Sequence, residues 1–316
     1  MTRPTHYVFV LLPEFSHLAF ANAVEPLRIA NLISGETHYR WSFVSETGSP
    51  AEASNGSLTV VHHSYDDIPA CDRLFVLSGV AVMRHCSRPF MAMLRRQRAR
   101  GTTLGALCSG AWALAQAGFL DGRKAAIHWE FHDSFMEAFP DVALERSVFV
   151  ADEPIVTASG GSATADLMLH LIGEAHGLDL AVAVSDQMVY NAVREASAEQ
   201  RVSLQARQGM RNPRLAQAIA LMRETLEDPL PATRIAAEIG LSSRQLERLF
   251  GKHLNTTPKK YYMDLRLERA RLLLLQTEMS VSEVAYGCGF ESPGHFARVY
   301  KTAYGISPVM QRSRLS

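Results

Sequence analysis

The sequence contains few cysteines and no long apolar segment. Its four cysteines lie at positions 71, 86, 108 and 288 of 316 residues, too far apart for a CxxC pair. This spacing argues against a disulfide framework or a cysteine zinc site, and it fits a reducing cytoplasm. The apolar run from Tyr7 to Leu12 near the N-terminus is far shorter than the roughly 20 residues of a membrane span. We therefore expect a cytoplasmic protein that does not enter the membrane.

The usual patterns for metals and nucleotides are also missing. His62, His63 and His128 have no Cys or Asp neighbours at the spacing of a metal site. No GxxxxGK[ST] loop occurs, which argues against nucleotide hydrolysis. We expect neither a metal nor a cofactor.

The charges are balanced in number but not in position. Lys and Arg total 32, as do Asp and Glu, yet residues 211–316 hold 16 basic and 10 acidic side chains. The remaining 210 residues hold 16 basic and 22 acidic side chains. A basic C-terminal third is typical of a module that binds a polyanion.

The length and the hydrophobic patterns indicate two domains. In residues 1–193, short apolar runs alternate with helical patterns, which predicts a doubly wound, flavodoxin-like α/β domain with helices on both faces of a parallel sheet. Within it we predict single strands from Ala125 to Trp129 and from Val148 to Ala158. Residues 194–212 break the rhythm and are interpreted as a linker. Residues 213–316 show only helical periodicity, which predicts an all-α domain.

The helical domain contains an internal repeat of about 49 residues. Each copy has an alanine (Ala236, Ala285), then a glycine four residues later (Gly240, Gly289), and then a serine before the next helix. The alanine permits close helix approach, the glycine suits a left-handed turn, and the serine caps the second helix. Two helix-turn-helix motifs on a shared helix over residues 259–275 are predicted, and such a pair reads DNA.

The second helix of each copy is the predicted reader of the DNA major groove. Its base-facing residues are predicted to be Ser243, Arg244, Glu247 and Arg248 in the first copy, and Pro293, Gly294, His295 and Arg298 in the second. Lys252, Lys259, Lys260 and Lys301 are predicted to contact phosphates. For each basic residue, an ordinary solvated helix face is the alternative.

Three runs in this domain carry a family resemblance. They are Ile235–Ser242 (IAAEIGLS), Pro258–Ala270 (PKKYYMDLRLERA) and Val284–Phe290 (VAYGCGF). Through them, residues 213–313 resemble the C-terminal domain of AraC-family transcription regulators. The resemblance implies binding to double-stranded DNA. Our leading hypothesis is a ligand-responsive transcription activator that forms a homodimer through the first domain, with RNA polymerase as a further candidate partner.

The first domain has a candidate site at Gly105–Ala111. A strand-like run ends there at Cys108 between small residues and is followed by a helix, which is typical of a nucleophile elbow. The helix N-terminus is expected to favour the thiolate. His128 is a candidate base, and Gly160 and Gly161 can offer backbone donors to an anion at the start of a helix. The alternative for each of these residues is a purely structural role.

This domain resembles the class I glutamine amidotransferase-like fold of the PfpI type. The runs Ala23–Arg28, Leu120–Arg123 and Ile127–Glu130 are most similar to the regulators of arginine, carnitine and glycine betaine catabolism. Enzymes of the fold keep an acidic residue early in the first helix, and the matching position here is Ala19. The resemblance therefore implies a sensor without catalytic residues, in which Cys108 and His128 are vestigial.

A small zwitterion suits such a sensor. Trp129 can place its ring against a quaternary ammonium or guanidinium group, a contact of about 0.5 to 2 kcal/mol. Amides at a helix N-terminus favour a carboxylate. Cys108, His128, Trp129, Gly160 and Gly161 are thus the predicted ligand-binding residues, for a betaine, carnitine or a basic amino acid. A packing role for Trp129 is the alternative.

Two other functions remain open from the sequence. The elbow allows a cysteine-dependent hydrolase, an amidase or an isonitrile-hydrating enzyme fused to a DNA-binding domain. A first domain that only dimerises, with no ligand, is the third reading.

Overall fold

The computed structural model describes residues 3–190, 193–195, 198, 200 and 212–313. The chain divides into two compact units, Met1–Arg201 and Val202–Ser316. Most of the predicted linker, residues 194–212, lies outside the described residues. The boundaries at 193 and 213 therefore stay a prediction.

The first unit alternates strands and helices, as the apolar runs predict. Its strands are β1 (Thr5–Leu11), β2 (Tyr39–Val44), β3 (Ala51–Glu52), β4 (Leu58–Thr59), β5 (Arg73–Leu77), β6 (Thr103–Leu107), β7 (Lys124–Ala125), β8 (Ala143–Leu144), β9 (Phe149–Asp152) and β10 (Ile155–Ala158). Its helices are α1 (His17–Ser34), α2 (Val82–His85), α3 (Arg88–Ala99), α4 (Ala111–Gln116), α5 (His132–Ala138), α6 (Ala163–His176) and α7 (Leu178–Gln187).

The central sheet has the order β2-β1-β5-β6-β10-β9. Its neighbours are parallel except for the antiparallel pair β10 and β9. The sheet buries both faces, because Val8 and Val10 of β1 join one apolar cluster while Phe9 and Leu11 join the other. The predicted α/β fold with a covered parallel sheet is confirmed.

Two predicted strands are corrected by the structure. The run from Val148 to Ala158 is not one strand but the hairpin of β9 and β10, because the chain reverses at Glu153-Pro154. The run from Ala125 to Trp129 is a strand only at β7, and Trp129–Phe131 forms a 3-10 turn capped by the His128 side chain. Apolar composition alone does not reveal where a buried chain turns.

The second unit contains only helices among its described residues. They are α8 (Pro213–Glu224), α9 (Ala232–Glu238), α10 (Ser243–Leu254), α11 (Pro258–Gln276), α12 (Val281–Gly287), α13 (Pro293–Tyr304) and α14 (Pro308–Ser313). Two separate apolar cores form, one around α9 and α10 and one around α12 and α13, and the long helix α11 contributes to both. The predicted pair of helical motifs on a shared helix is confirmed.

The turn of each motif has the predicted chemistry. Gly240 and Gly289 have φ values of +68° and +73°, in the left-handed region that favours glycine. Ser242 forms a capping box with Gln245 at the start of α10, and Ser292 caps α13. None of the helices in the described part of the chain is long and apolar enough to cross a membrane.

Candidate functional site

The predicted elbow is present at the carboxyl end of β6. Cys108 has a φ of +62°, a conformation that a residue with a side chain rarely adopts. Its backbone N–H donates to the carbonyl of Ala158 at 3.0 Å, and its own carbonyl accepts from the N–H of His128 at 3.2 Å. The elbow thus lies between the end of β10 and the 3-10 turn. The carboxyl ends of the strands are where doubly wound sheets usually bind their ligands.

Gly160 is in direct contact with the elbow. A Cβ at this position would lie 2.6 Å from the Cβ of Cys108, and Gly160 has a φ of +90°. Gly161, with a φ of +55°, accepts a hydrogen bond from the Asn22 side chain of α1 at 3.1 Å. The structure therefore brings Cys108, Gly160 and Gly161 together at the N-terminus of α6.

The surroundings of the Cys108 thiol disfavour its ionisation. The residue as a whole is half-buried, yet burial of the thiol raises its pKa to about 12, and the nearby charge of Glu130 acts in the same direction. A hydrogen bond from the backbone of Ser109 lowers the pKa by less than burial raises it. The expectation that the helix N-terminus favours the thiolate is therefore wrong, because desolvation of the anion outweighs the helix terminus.

His128 and Trp129 lie beside the elbow. Their ring centroids are 5.4 Å apart, and the carboxylate of Glu130 lies 3.7 Å from Nδ1 of His128. The side chains of His128 and Glu130 are 29% and 33% exposed, and Trp129 is half-buried. Ala19, the residue that the sequence comparison matches to the acidic position of enzymes of the fold, is buried on α1. The acid nearest to the thiol electrostatically is instead Glu130.

Glu130 is a site residue that sequence reasoning did not predict. Its position in the run Ile127–Glu130 was visible, but a 3-10 turn was needed to bring its charge back towards Cys108. Among the described residues no group of three or more His, Cys, Asp or Glu side chains is arranged to hold a metal ion.

The predicted DNA-reading residues lie on the surface of the second unit. All of them are exposed except Pro293, which is half-buried. The exposed ones are Ser243, Arg244, Glu247, Arg248, Lys252, Lys259, Lys260, Gly294, His295, Arg298 and Lys301. The opposite faces of the two reader helices are apolar and buried, with Leu246 and Phe250 on α10 and Phe296 and Tyr300 on α13.

Two arginines fix the turns and were not predicted from the sequence. Arg214 on α8 donates to the carbonyl of Ile239 in the first motif. Arg266 on α11 donates to the carbonyls of Cys288 and Gly289 at 2.8 and 2.6 Å, and its guanidinium lies 4.2 Å from the centre of the Phe290 ring. Both satisfy carbonyls at the C-terminus of the first motif helix. The signal available in the sequence was an arginine on the helix that precedes each motif.

Two family patterns match the chain, one in each unit. The DJ-1/PfpI family matches residues 8–174. A helix-turn-helix domain family matches residues 235–314.

Known regulators are similar along almost the whole chain. The HTH-type transcriptional regulator GbdR of Pseudomonas aeruginosa is 43% identical over 98% of this chain and 84% of the regulator. The regulator CdhR of the same species is 42% identical over 97% of this chain and 91% of its own length. A crystal structure of an AraC family transcriptional regulator from Pseudomonas putida is 29% identical, with a TM-score of 0.54, and covers 58% of this chain and 100% of that protein. This chain therefore belongs to the family of AraC-type, DNA-binding transcription regulators that carry an N-terminal DJ-1/PfpI domain.

Proposed function

We propose that the first unit of this DNA-binding regulator senses a small zwitterion in the crevice at the elbow. The predicted contacts are Cys108, His128, Trp129, Gly160 and Gly161. The observation that carries the proposal is the contact of the Cys108 elbow with Gly160 at the start of α6 and with the backbone of His128, which precedes half-buried Trp129. Such a crevice offers recognition groups without an activated nucleophile.

The crevice has complementary features for the two ends of a zwitterion. The ring of Trp129 and the negative charge of Glu130 favour a quaternary ammonium or guanidinium group. The start of α6, next to Gly160 and Gly161, favours a carboxylate through the helix dipole. A betaine, carnitine or a basic amino acid combines both groups.

We propose that the first unit has no catalytic activity. Its thiol has a pKa raised to about 12, and the position that carries an acid in enzymes of the fold is Ala19. The thiolate is the reactive form of cysteine, so a thiol whose pKa is raised by burial is a poor nucleophile. We further propose that the protein acts in the cytoplasm as an activator of catabolic genes. RNA polymerase is the further proposed partner.

The reader helices are proposed to act together on one face of the DNA. Two readers per chain would enter successive major grooves about 34 Å apart. A homodimer through the first unit would double the number of half-sites.

The effector proposal is tested by thermal unfolding of the full chain with glycine betaine, carnitine and arginine. Bound ligand at a hundred times its Kd should add about 2.7 kcal/mol of stability. All three tryptophans lie in residues 1–190, so their fluorescence follows the first unit. Trp129→Phe should raise the Kd of the bound compound at least threefold, whereas Trp41→Phe should leave this Kd unchanged. No stabilisation by any of the three compounds would refute the proposed effector class.

The reader proposal predicts different results for base-facing and phosphate-facing residues. Arg244→Ala should reduce discrimination between the selected site and mismatched duplexes, because a bidentate arginine–guanine contact gives about 1 to 3 kcal/mol of specificity. Lys252→Ala should weaken binding to all duplexes alike and reduce the salt slope by about one. Fluorescence anisotropy with a site selected from random duplexes measures both. Unchanged discrimination in Arg244→Ala would remove this residue from the proposed interface.

A cysteine hydrolase is the second candidate, favoured by the positive φ of Cys108 at the end of β6 and by the backbone hydrogen bond that holds His128 beside the elbow. Iodoacetamide labelling of each cysteine across pH tests it. A Cys108 that titrates below about 8.5 would support a nucleophile, and turnover abolished by Cys108→Ser would establish it. Labelling that rises steadily above pH 9 would support the sensor.

A further inference from the structure

The described residues that follow α7 are held tightly against the first unit. Arg194 forms an ion pair with Asp166 of α6. The distance from Nη2 to Oδ2 is 2.7 Å, and the Arg194 backbone N–H donates to Oδ1 at 2.8 Å. Tyr190 donates to the same carboxylate at 3.0 Å, and Arg194 also donates to the Ser162 hydroxyl at 2.9 Å.

This ion pair is a buried one. The side chain of Asp166 is 0% exposed and that of Arg194 is 27% exposed. A buried carboxylate that loses its cation is strongly destabilised, so the position of Arg194 is tied to that of Asp166. Any shift of the first turn of α6 is therefore passed to the backbone at residue 194.

A second anchor lies a few residues further along the chain. The side-chain amide of Gln200 donates to the carbonyls of Ile127 and Ser147, both at 2.9 Å. The carbonyl of Ala198 accepts from the N–H of Val148 at 2.8 Å. These contacts attach the chain to the segment before β9 and to the residue that precedes His128.

Both anchors are next to the proposed effector crevice. Ser162 directly follows Gly160 and Gly161, and Gly160 touches Cys108. Ile127 directly precedes His128, whose N–H is bonded to the carbonyl of Cys108. These described residues thus contact the sequence neighbours of His128 and of Gly161, on both sides of the proposed site. The second unit begins at Val202, two residues after Gln200.

We propose that residues 194, 198 and 200, here called the strap, transmit the state of the crevice to the DNA-binding unit. This inference rests on the proposed effector function and names its regulation. An effector changes DNA binding only through different affinities for two arrangements of the protein. A ligand that moves residues on either side of the crevice changes the hydrogen bonds and the ion pair that hold the strap to the first unit. The strap is covalently linked to the second unit.

The test uses the full chain and separates ligand binding from DNA response. One variant, Asp166→Asn with Arg194→Gln, removes the charges at the first anchor while keeping polar groups there. The other, Gln200→Ala, removes the second anchor. Arg96→Gln, which breaks an exposed ion pair with Asp66 on the same unit, is the matched control. Ligand binding is measured by thermal shift with glycine betaine, carnitine and arginine, and DNA affinity by anisotropy with the selected duplex.

In the unaltered protein and in Arg96→Gln we expect one compound to change DNA affinity at least fivefold, the lower range of allosteric coupling. In at least one strap variant the compound should still bind within threefold, while the change in DNA affinity falls below twofold. If both folded strap variants keep the full response, or lose the response only because they lose the compound, the inference is wrong while the proposed function stands. If no compound affects the unaltered protein, the proposed function fails, and the inference fails with it.

Discussion

At the scale of single residues, the elbow is defined by what surrounds Cys108. Its positive φ is tolerated because three chain segments meet there, at Ala158, His128 and Gly160. Strained backbone of this kind persists only where neighbouring structure holds it. Gly160 is part of that support because a side chain has no room beside the thiol.

Gly160→Ala should destabilise the first unit through contact with Cys108. The new Cβ would lie 2.6 Å from that of Cys108, closer than atoms can approach. Gly177→Ala is the matched control, since Gly177 has nearly the same φ, +92° against +90°, but no atom within 4 Å. Both variants lose about 1 kcal/mol from backbone strain, and Gly160→Ala should lose a further ~1 to 3 kcal/mol from overpacking. Urea unfolding followed by tryptophan fluorescence measures the difference, and equal losses would contradict the contact.

The buried thiol should make stability depend on alkaline pH. The folded pKa is about 12, whereas an unfolded cysteine has a pKa of about 8.5. The folded protein therefore keeps the proton that the unfolded chain releases, so this contribution is complete below about pH 8.5 and is lost as the pH rises towards 12. Between pH 7.5 and 9.5 the unaltered protein should lose about 1 kcal/mol more than Cys108→Ser. A constant difference between the two proteins over this range would show that the thiol ionises freely.

At the scale of elements, each reader helix is placed by a glycine turn and an arginine. Gly240 and Gly289 share the left-handed conformation, yet their surroundings differ. A Cβ at Gly289 would lie 2.5 Å from Cγ of Pro229, whereas one at Gly240 would lie 3.4 Å from the tip of Arg214. The second turn is therefore packed against the loop before α9, and the first faces a flexible side chain.

Gly289→Ala should impair the second motif more than Gly240→Ala impairs the first. The strain of a positive φ is common to both and costs about 1 kcal/mol. The clash with Pro229 and the Leu226 carbonyl adds an overpacking cost of ~1 to 3 kcal/mol only at Gly289. Circular dichroism follows helix loss in both variants, and anisotropy follows DNA affinity. If Gly240→Ala proved the more damaging, the packing of the two turns would be misassigned.

At the scale of the whole molecule, two units with separate cores share one chain. The second unit holds its own buried clusters around Phe250 and Phe296. It also carries more basic than acidic side chains, whereas the first unit carries more acidic than basic ones. Separate cores predict that the DNA-binding unit and the proposed sensing unit can fold independently.

The fragment 202–316 should fold alone and bind duplex DNA without any response to the effector. Its affinity should fall steeply with salt, because lysine and arginine contacts to phosphates release counterions. The fragment 1–201 should bind the compound without binding DNA. Circular dichroism establishes folding and anisotropy at several salt concentrations establishes binding. A folded fragment 202–316 with no affinity for duplexes would contradict the placement of the readers.

The sequence by itself determined the alternation of strands and helices in the first unit, the two helix-turn-helix motifs of the second and the small residues around the elbow. These features are local: strand and helix periods, Ser242 as a cap and Gly240 as a turn are written within a few residues of one another.

Only the tertiary structure decided which groups far apart in sequence lie close together and how their charges interact. Glu130 acts on Cys108 through a 3-10 turn, and Arg194 reaches Asp166 from beyond α7. Burial raises the pKa of the Cys108 thiol, and this burial is a property of the folded environment that no local pattern encodes.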